Sequence, residues 1–346
     1  MYRTMPSTAT ATVLASRELV QCVFAYQCGL YEDMLPLSDL LPKHLTNRAL
    51  YFLMIGNFSE FCNHIGHFAT GIAPWLAKHG TRGLSRLFAC IDSMSFTVEL
   101  FAACVGHIDV IDFMLDNDLL DPTIPLMDLA AWAGQLTVMT HLTERNRCKD
   151  SKHCTMTTTT LDWAACNGQL NVVQYFTEVE FSPCSTEAMD GAARCGHLEI
   201  VQYLHTKRRE GCTPGAMDRA ACYGYLDVVE YLHENRHEGC TYRAMDAAAT
   251  SGHLEIVQFL NEWRDEGASS DAMDGAILNG HLSVVKYLLD HTSVATSSAD
   301  VLDAALALGD PDMAAFLLDR FCLDDEGTWS GDDDPCEASA IQAHVF

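Results

Sequence analysis

Apolar residues recur along most of the chain with the spacing of short amphipathic helices. One stripe returns after 28 positions, as Ile200, Val201, Tyr203, Leu204 and then Val228, Val229, Tyr231, Leu232. Separations of one, three and four residues place such side chains on one face of a helix. Each stripe therefore predicts a helix that buries one face and leaves the other polar.

A glycine precedes each stripe and marks a repeat. The eight marker glycines are Gly106, Gly134, Gly168, Gly196, Gly224, Gly252, Gly280 and Gly309. Most neighbours are 28 residues apart, with a six-residue insertion between Gly134 and Gly168 and one extra residue before Gly309. A pattern repeated at this spacing is typical of proteins built from stacked repeats.

The residues before each glycine predict a first helix in every repeat. A hydroxyl stands eleven positions before the glycine, at Ser95, Thr123, Thr157, Ser185, Thr213, Thr241, Ser269 and Ser298. These side chains are expected to cap the helix N-terminus. A carboxylate stands six positions before it, at Asp128, Asp162, Asp190, Asp218, Asp246, Asp274 and Asp303. It is expected to interact with the positive end of the helix dipole.

Each repeat is thus predicted to be two short antiparallel helices and a loop. Such a hairpin is too small to bury its own apolar face, so neighbouring repeats must supply the missing contacts. Alanine always stands four positions before the marker glycine, where it lets adjacent helices approach. Gly211, Gly239 and Gly267 recur at the same spacing and are expected to cap the second helices. The fold class is all-α, a helical-hairpin solenoid of about eight repeats.

The repeats resemble those of the ankyrin family. The resemblance rests on one well-matched unit, Gly211-Cys212-Thr213-Pro214 with Ala220-Ala221 and Gly224, and on Gly-His pairs such as Gly196-His197. The ankyrin unit has about 33 residues and opens its first helix with Thr-Pro-Leu-His. Here the unit has 28 residues, and Ala-Met-Asp commonly replaces the last three of that motif. The missing residues fall where the family carries a β-hairpin finger, so we expect shortened loops.

The resemblance implies a non-catalytic scaffold that binds another protein, here through the exposed face of its first helices. It places the position five residues before each marker glycine on the concave face. The predicted protein-binding residues are Phe101, Leu129, Trp132, Trp163, Arg194, Arg219 and Tyr223. Exposed aromatic side chains with an arginine nearby are typical of binding hot spots. The alternative is that the N-terminal region or the inserted loop covers the large apolar residues, which would then be core.

The charge of the chain restricts its partners. With 47 acidic and 21 basic residues, the formal net charge is −26. Nucleic acids and anionic membrane surfaces would be repelled, so we expect a neutral or basic protein partner and no nucleic acid or membrane. We expect the protein to be a monomer.

The chain is expected to be cytoplasmic or nuclear. Arg17 and Glu18 interrupt the start of the chain, which therefore lacks the apolar segment of a signal peptide. The longest apolar run, residues 49–56, is less than half of the roughly 20 residues that a membrane-spanning helix needs. Fifteen cysteines, an odd number, favour reduced thiols over disulfides in this setting.

No cofactor, metal or catalytic residue is predicted. Cys148, His153 and Cys154 lie near His141 in the inserted loop, yet their spacing is not that of structural zinc ligands, which come in close pairs. The phosphate-loop, nucleophile-elbow, zinc-protease and dinucleotide motifs are also missing from the sequence. The remaining alternative from another class is an enzyme with an unrecognised active site in residues 1–94.

Three segments are predicted along the chain. Residues 1–94 are expected to be a helical region that caps the array or contains degenerate repeats, residues 95–321 the repeat solenoid, and residues 322–346 an acidic disordered tail. Leu35-Pro36-Leu37 with Leu40-Leu41-Pro42 faintly resembles the opening of F-box adaptors. A substrate adaptor for a ubiquitin-ligase complex is therefore the second functional hypothesis.

Overall fold

The computed structural model describes residues 32–38, 40, 58–91, 94–122, 124–149, 157–178, 184–292, 305 and 309–323. All regular structure in these residues is helical, and none of them forms a strand. The chain divides into two compact units, Met1–Ala164 and Ala165–Phe346. The predicted all-α, ankyrin-like repeat array is confirmed. The boundary predicted between residues 94 and 95 lies inside the first unit, and residues 324–346 of the predicted tail lie outside the described residues.

The first unit contains an N-terminal helical segment and the first repeats. Its N-terminal helices are α1 (Leu35–Ser38), α2 (Phe58–His79) and α3 (Leu84–Cys90), with short 3-10 turns at Glu32–Met34 and Thr81–Gly83. The repeat helices are α4 (Met94–Val105), α5 (Ile108–Asp116), α6 (Leu126–Trp132) and α7 (Leu136–Lys149). Helix α8 (Thr158–Cys166) contains the boundary between the units. The pairs α4 with α5 and α6 with α7 are the first two predicted hairpins.

The second unit is a series of hairpins with nearly constant dimensions. Its helices are α9 (Leu170–Glu178), α10 (Glu187–Arg194), α11 (Leu198–Lys207), α12 (Pro214–Tyr223), α13 (Leu226–Asn235), α14 (Tyr242–Thr250), α15 (Leu254–Trp263), α16 (Ser270–Leu278), α17 (Leu282–His291) and α18 (Pro311–Leu323). The first helices α10, α12, α14 and α16 pack side by side in chain order, and the second helices α9, α11, α13, α15 and α17 do the same. The apolar stripes of both rows form the core.

The loops between repeats are as short as predicted. Residues 208–213 alone connect α11 to α12, and equivalent loops follow α13 and α15. Gly211 has φ +76 and stands in the middle of its loop, several residues beyond the end of α11 at Lys207. The prediction that Gly211, Gly239 and Gly267 cap the second helices is therefore wrong, because these glycines shape the loop instead.

The predicted N-terminal caps form in the regular repeats. The side chains of Thr213, Thr241 and Ser269 each accept a hydrogen bond from a backbone N–H in the first turn of the helix that follows. Ser185 accepts one from the Glu187 N–H at 3.1 Å. Ser95 differs, because α4 begins one residue earlier at Met94. Thr123 and Ser298 lie outside the described residues.

The marker glycines have a left-handed conformation, and seven of them, Gly106 to Gly280, follow the end of a described first helix. All eight have φ between +71 and +93, which side chains with a Cβ rarely adopt. In several repeats a ring from the following repeat also lies directly over the glycine. A Cβ on Gly224 would stand 2.6 Å from His253 Cε1, and one on Gly252 would stand 2.5 Å from His281 Nδ1. The Gly-His pairs therefore pack one repeat against the next.

The aspartates of the first helices α10, α12 and α14 bond to the next repeat. Asp190 accepts hydrogen bonds from the backbone N–H and the hydroxyl of Thr213, at 2.8 and 2.5 Å. Asp246 accepts the same pair from Ser269, at 2.8 and 2.6 Å. These carboxylates thus join the cap of one first helix to the body of the preceding one. The sequence pattern predicts for them only an interaction with the dipole of their own helix.

Candidate protein-binding surface

One side of the first helices in the second unit faces solvent. We call this side of α10, α12, α14 and α16 the first-helix face. Exposed or half-exposed side chains on it include Glu187, Arg194, Arg219, Tyr223, Arg243, Asp271, Asp274 and Leu278. It includes three of the residues predicted from the sequence, namely Arg194, Arg219 and Tyr223.

Two large apolar side chains on this face are unusually exposed. Tyr223 ends α12 and Leu278 ends α16, and each has 59% of its surface accessible. The apolar stripes of the same hairpins are almost completely buried. Tyrosine at such a position offers a large contact area and a hydrogen-bonding hydroxyl at little conformational cost.

The charges on the first-helix face are balanced, unlike those of the whole chain. Arg194, Arg219 and Arg243 stand against Glu187, Asp271 and Asp274. The Arg219 guanidinium lies 3.3 Å from the Glu187 carboxylate, and both side chains are largely exposed. Water screens such a pair, so it adds little to stability and can exchange partners when a ligand arrives.

The first helices approach each other closely beneath these side chains. A Cβ on Gly275 would lie 2.1 Å from Thr250 Oγ1, so α14 and α16 need a residue without a side chain here. Ala247 and Gly191 stand at the same position in α14 and α10. The centre of the face consequently has small residues in α10, α14 and α16, whereas α12 has Arg219 at this position.

In the first unit, the structure buries part of the predicted set. Phe101 and Leu129 are buried in the core, so they are not available to a partner. Trp132 and Trp163 are half-buried. For Phe101 and Leu129 the structure corresponds to the alternative interpretation, in which large apolar residues at this position are core.

Helix α2 accounts for much of this burial. Its side chains Phe61, Ile65, Phe68, Ile72 and Trp75 form a buried stripe. The Phe68 ring meets Phe101 of α4 edge to face, with centroids 5.8 Å apart. The Phe61 ring meets Trp132 of α6 in the same way at 5.9 Å. An amphipathic helix from the N-terminal segment therefore covers two of the predicted binding residues.

The F-box-like segment also packs against α2. Leu37 in α1 is buried, and the side chain of Leu40 occupies the space beside Gly71. Asp33 lies just before α1, and its carboxylate accepts hydrogen bonds from Trp75 Nε1 at 3.3 Å and Arg86 Nη2 at 2.8 Å. Leu41 and Pro42, the end of the motif, lie outside the described residues.

An arginine row along the loops was missed in the sequence. Arg208, Arg236 and Arg264 recur every 28 residues, and each forms an ion pair with the glutamate two positions later. A Cβ on Gly211 would stand 2.6 Å from Arg236 Nη2 of the following loop. The repeated Arg-x-Glu-Gly sequence was the available signal. These arginines connect successive loops. Their role is therefore structural.

The segment considered for zinc lies mostly outside the described residues. His153 and Cys154 belong to that part. His141 instead bonds Asp112 through Nε2 at 2.8 Å, and Arg145 pairs with the carboxylates of Asp112 and Asp116. Across the described ranges, no group of three or more His, Cys, Asp or Glu side chains is placed to hold a metal ion.

Among the helices that the structure describes, none has both the length and the apolar character needed to cross a membrane.

Comparison with known proteins agrees with the repeat geometry. Residues 217–260, from α12 into α15, match the family model described as ankyrin repeats (many copies). No curated protein matches the chain. The matched segment contains the marker glycines Gly224 and Gly252, the cap Thr241 and the buried stripes of α13 and α15. Residues 217–260 therefore contain ankyrin repeats, and they stand in an all-α, ankyrin-like helical repeat array of the kind that indicates a protein-interaction domain.

Proposed function

We propose that the chain is a non-catalytic scaffold that binds a protein partner through the first-helix face of the second unit. Arg194, Arg219 and Tyr223 from the predicted set, with Arg243 and Leu278, are the contact residues. The observation that carries the proposal is the exposure of Tyr223 and Leu278, at 59% each, on α12 and α16, whose other large apolar side chains are buried. Exposed apolar anchors with arginines around them are where binding energy concentrates.

The packing of helix α2 in the first unit supports a partner that presents a helix. In the first unit it brings an apolar stripe onto the first helices α4 and α6, through Phe68 on Phe101 and Phe61 on Trp132. The chain therefore contains one amphipathic helix, α2, that packs on first helices. We propose that the partner presents an amphipathic helix to α10, α12, α14 and α16. Phe101, Leu129, Trp132 and Trp163, all in the first unit, are not part of this surface.

Charge supports a neutral or basic partner. The positive and negative side chains of the first-helix face balance each other, whereas the whole chain has a formal net charge of −26. The net negative charge of the chain therefore repels an acidic partner at long range. At the contact itself, the balanced charges of the first-helix face impose no such electrostatic penalty. The partner helix is expected to carry both charges beside its apolar stripe.

Position-specific photo-crosslinking tests the proposal. A photoreactive phenylalanine replaces Tyr223 in one full-length protein and Trp263 in another, each irradiated in extract of the cells that make it. Trp263 is a matched control because it is 58% exposed but ends the second helix α15. The proposal predicts a protein crosslinked from position 223 and not from 263, and its loss when Leu278→Ala is added.

Affinity measurements with the purified crosslinked partner complete the test. Tyr223→Ala is expected to weaken binding at least about tenfold, or about 1.4 kcal/mol. Trp263→Ala should change affinity by less than about twofold if both variants unfold at the wild-type denaturant concentration. Equal crosslinking from both positions, or an affinity that Tyr223→Ala leaves unchanged, contradicts the proposed face.

A further inference from the structure

Two cysteines of the second unit face each other across neighbouring repeats. Cys166 is the last residue of α8, and Cys195 directly follows α10. Their sulfur atoms are 3.6 Å apart, and both residues are half-buried, within reach of small solutes. The proposed scaffold function makes no use of either thiol.

Repeat register brings the two thiols together. Cys166 stands two positions before Gly168, and Cys195 stands one position before Gly196. Gly191 of α10 makes room between them, because a Cβ there would lie 3.1 Å from Cys166 Cβ. The lack of a side chain at residue 191 therefore lets Cys166 lie against α10 and reach the end of that helix.

Arg194 adds a positive charge to the pair. Its Nη2 donates a hydrogen bond to Cys166 Sγ at 3.0 Å. The hydrogen bond from the Cys195 thiol, followed by the hydrogen bond and charge of Arg194, lowers the pKa of Cys166 to about 6. The same contact with Cys166 and burial raise the pKa of Cys195. Thiolates, not thiols, are the reactive nucleophiles.

We propose that Cys166 and Cys195 are an oxidative modification site, in which Cys166 reacts with hydrogen peroxide and Cys195 converts the product into an intramolecular disulfide. The geometry assigns distinct roles: Cys166 has the guanidinium contact, and Cys195 is the neighbouring thiol that resolves the intermediate. The proposal does not depend on the identity of a protein partner.

The chemistry balances with hydrogen peroxide as the only oxidant. The Cys166 thiolate attacks one peroxide oxygen, the O–O bond breaks, and the departing hydroxide takes a proton to become water. Cys166 is then a sulfenic acid. The Cys195 sulfur attacks the Cys166 sulfur, the S–O bond breaks, and the hydroxyl leaves with the Cys195 proton as a second water. Two thiols have lost two electrons, and one peroxide has become two waters.

Closing the bond requires only a small movement. A disulfide is about 2.05 Å long, so the sulfurs must approach by about 1.5 Å from their present separation. Rotation about the Cα–Cβ bonds can supply this, since both side chains lie at helix ends. A dithiol reductant would restore the two thiols by exchange.

The array contains its own control for this site. Cys222 stands two positions before Gly224, in the register of Cys166. The positions that correspond to Cys195 and Arg194 are Ser251 and Thr250 in the next repeat. Cys222 therefore has the same helical position without the second thiol or the guanidinium, and Ala247 of the next repeat stands where Gly191 faces Cys166.

Peptide mapping of the full-length protein tests the proposal. The protein is treated with hydrogen peroxide, its free thiols are alkylated, and tryptic peptides are sequenced by mass spectrometry. Cleavage after Arg194 separates Cys195 from Cys166, so the disulfide joins two peptides. The expected result is a Cys166–Cys195 link that dithiothreitol removes. In Cys195→Ser, a sulfenic-acid probe should label Cys166 at least about fivefold faster than Cys222.

Two further variants separate reactivity from simple proximity. Arg194→Ala is expected to slow the labelling of Cys166 at pH 6.5 by about tenfold, with Arg194→Lys in between. Ser251→Cys should allow a second disulfide, from Cys222 to the introduced thiol, that forms more slowly because Thr250 replaces the arginine and Ala247 replaces the glycine. Equal labelling of Cys166 and Cys222, or a Cys166 disulfide to Cys154 or Cys184, would overturn the proposal. Unchanged labelling in Arg194→Ala would equally overturn the role given to that residue.

Discussion

Asp218 of α12 accepts two hydrogen bonds from Thr241, the capping residue of the next first helix. The Thr241 backbone N–H lies 2.8 Å from one carboxylate oxygen, and its hydroxyl lies 2.7 Å from the other. The hydroxyl oxygen in turn accepts from the Arg243 N–H at 3.2 Å. One carboxylate thus fixes both the start of a helix and its distance from the preceding repeat.

Removing this carboxylate should destabilise the array. Asp218→Ala leaves the Thr241 N–H without its partner in a half-buried position. We therefore expect the free energy of unfolding to be about 2 kcal/mol lower. Thr241→Val should lose part of the same energy, and Thr241→Ser should retain it. Denaturant titration of the full-length variants measures these differences. The exposed Glu230→Ala is the control and should change stability by less than about 0.5 kcal/mol.

Two glycines with the same backbone conformation should tolerate alanine differently. Gly224 has φ +86 and the His253 ring above it, whereas Gly267 has φ +69 and, among the described residues, no atom within 4 Å of an added Cβ. Gly267→Ala should therefore cost only the backbone strain, about 1 to 2 kcal/mol. Gly224→Ala should cost at least about 1 kcal/mol more, because the ring must move.

A double variant separates the two contributions at Gly224. In the His253→Ala background, Gly224→Ala should cost no more than Gly267→Ala, since the ring is gone. If the cost at Gly224 is the same with and without His253, the ring contact is not the reason for the glycine. The measurement is again the free energy of unfolding from denaturant titration.

Helix α2 is expected to belong to the cooperative core of the first unit. Phe68 is buried against Phe101, so Phe68→Ala should destabilise this unit by about 3 to 5 kcal/mol. Amide hydrogen exchange should show faster exchange in α4 as well as in α2. The exposed neighbour His67→Ala serves as the control. Unchanged protection of α4 would mean that α2 packs on the repeats without stabilising them.

Glu99 of α4 should make the first unit sensitive to pH. One carboxylate oxygen accepts the Asp121 N–H at 2.9 Å, and the other is buried with no hydrogen-bond partner among the described residues. Burial raises the pKa of Glu99 to about 8. The folded protein therefore keeps a proton that the unfolded chain loses above about pH 4.5. The free energy of unfolding should therefore fall as pH rises from about 4.5 to about 8, by up to about 1.4 kcal/mol per pH unit.

Glu99→Gln removes this ionisation and tests it directly. The variant should gain stability relative to wild type between pH 5 and pH 8, and the difference should level off at higher pH. Unfolding titrations at pH 5, 7 and 9 are sufficient. Glu144→Gln, at an exposed position of α7, should give a curve parallel to wild type. A parallel curve for Glu99→Gln would contradict the proposed proton uptake.

Much of the repeat could be predicted because its signals are local. A hydroxyl at Thr213 or Thr241 finds its N–H within two residues, and a glycine such as Gly224 adopts positive φ within its own turn. The apolar stripes likewise depend only on helical periodicity. The shortened loops, the caps and the helical hairpins therefore followed from spacing along the chain.

Contacts between repeats depend on the tertiary structure. Phe101 and Arg219 stand at the same repeat position, yet Phe101 is buried and Arg219 is half-exposed. Phe68 of α2 covers Phe101, and the residues around Phe101 in the sequence carry no signal of this contact. Cys166 and Cys195 are 29 residues apart and meet only when their repeats stack. Short-range periodicity specified the hairpins, while long-range packing determined which side chains a partner or an oxidant can reach.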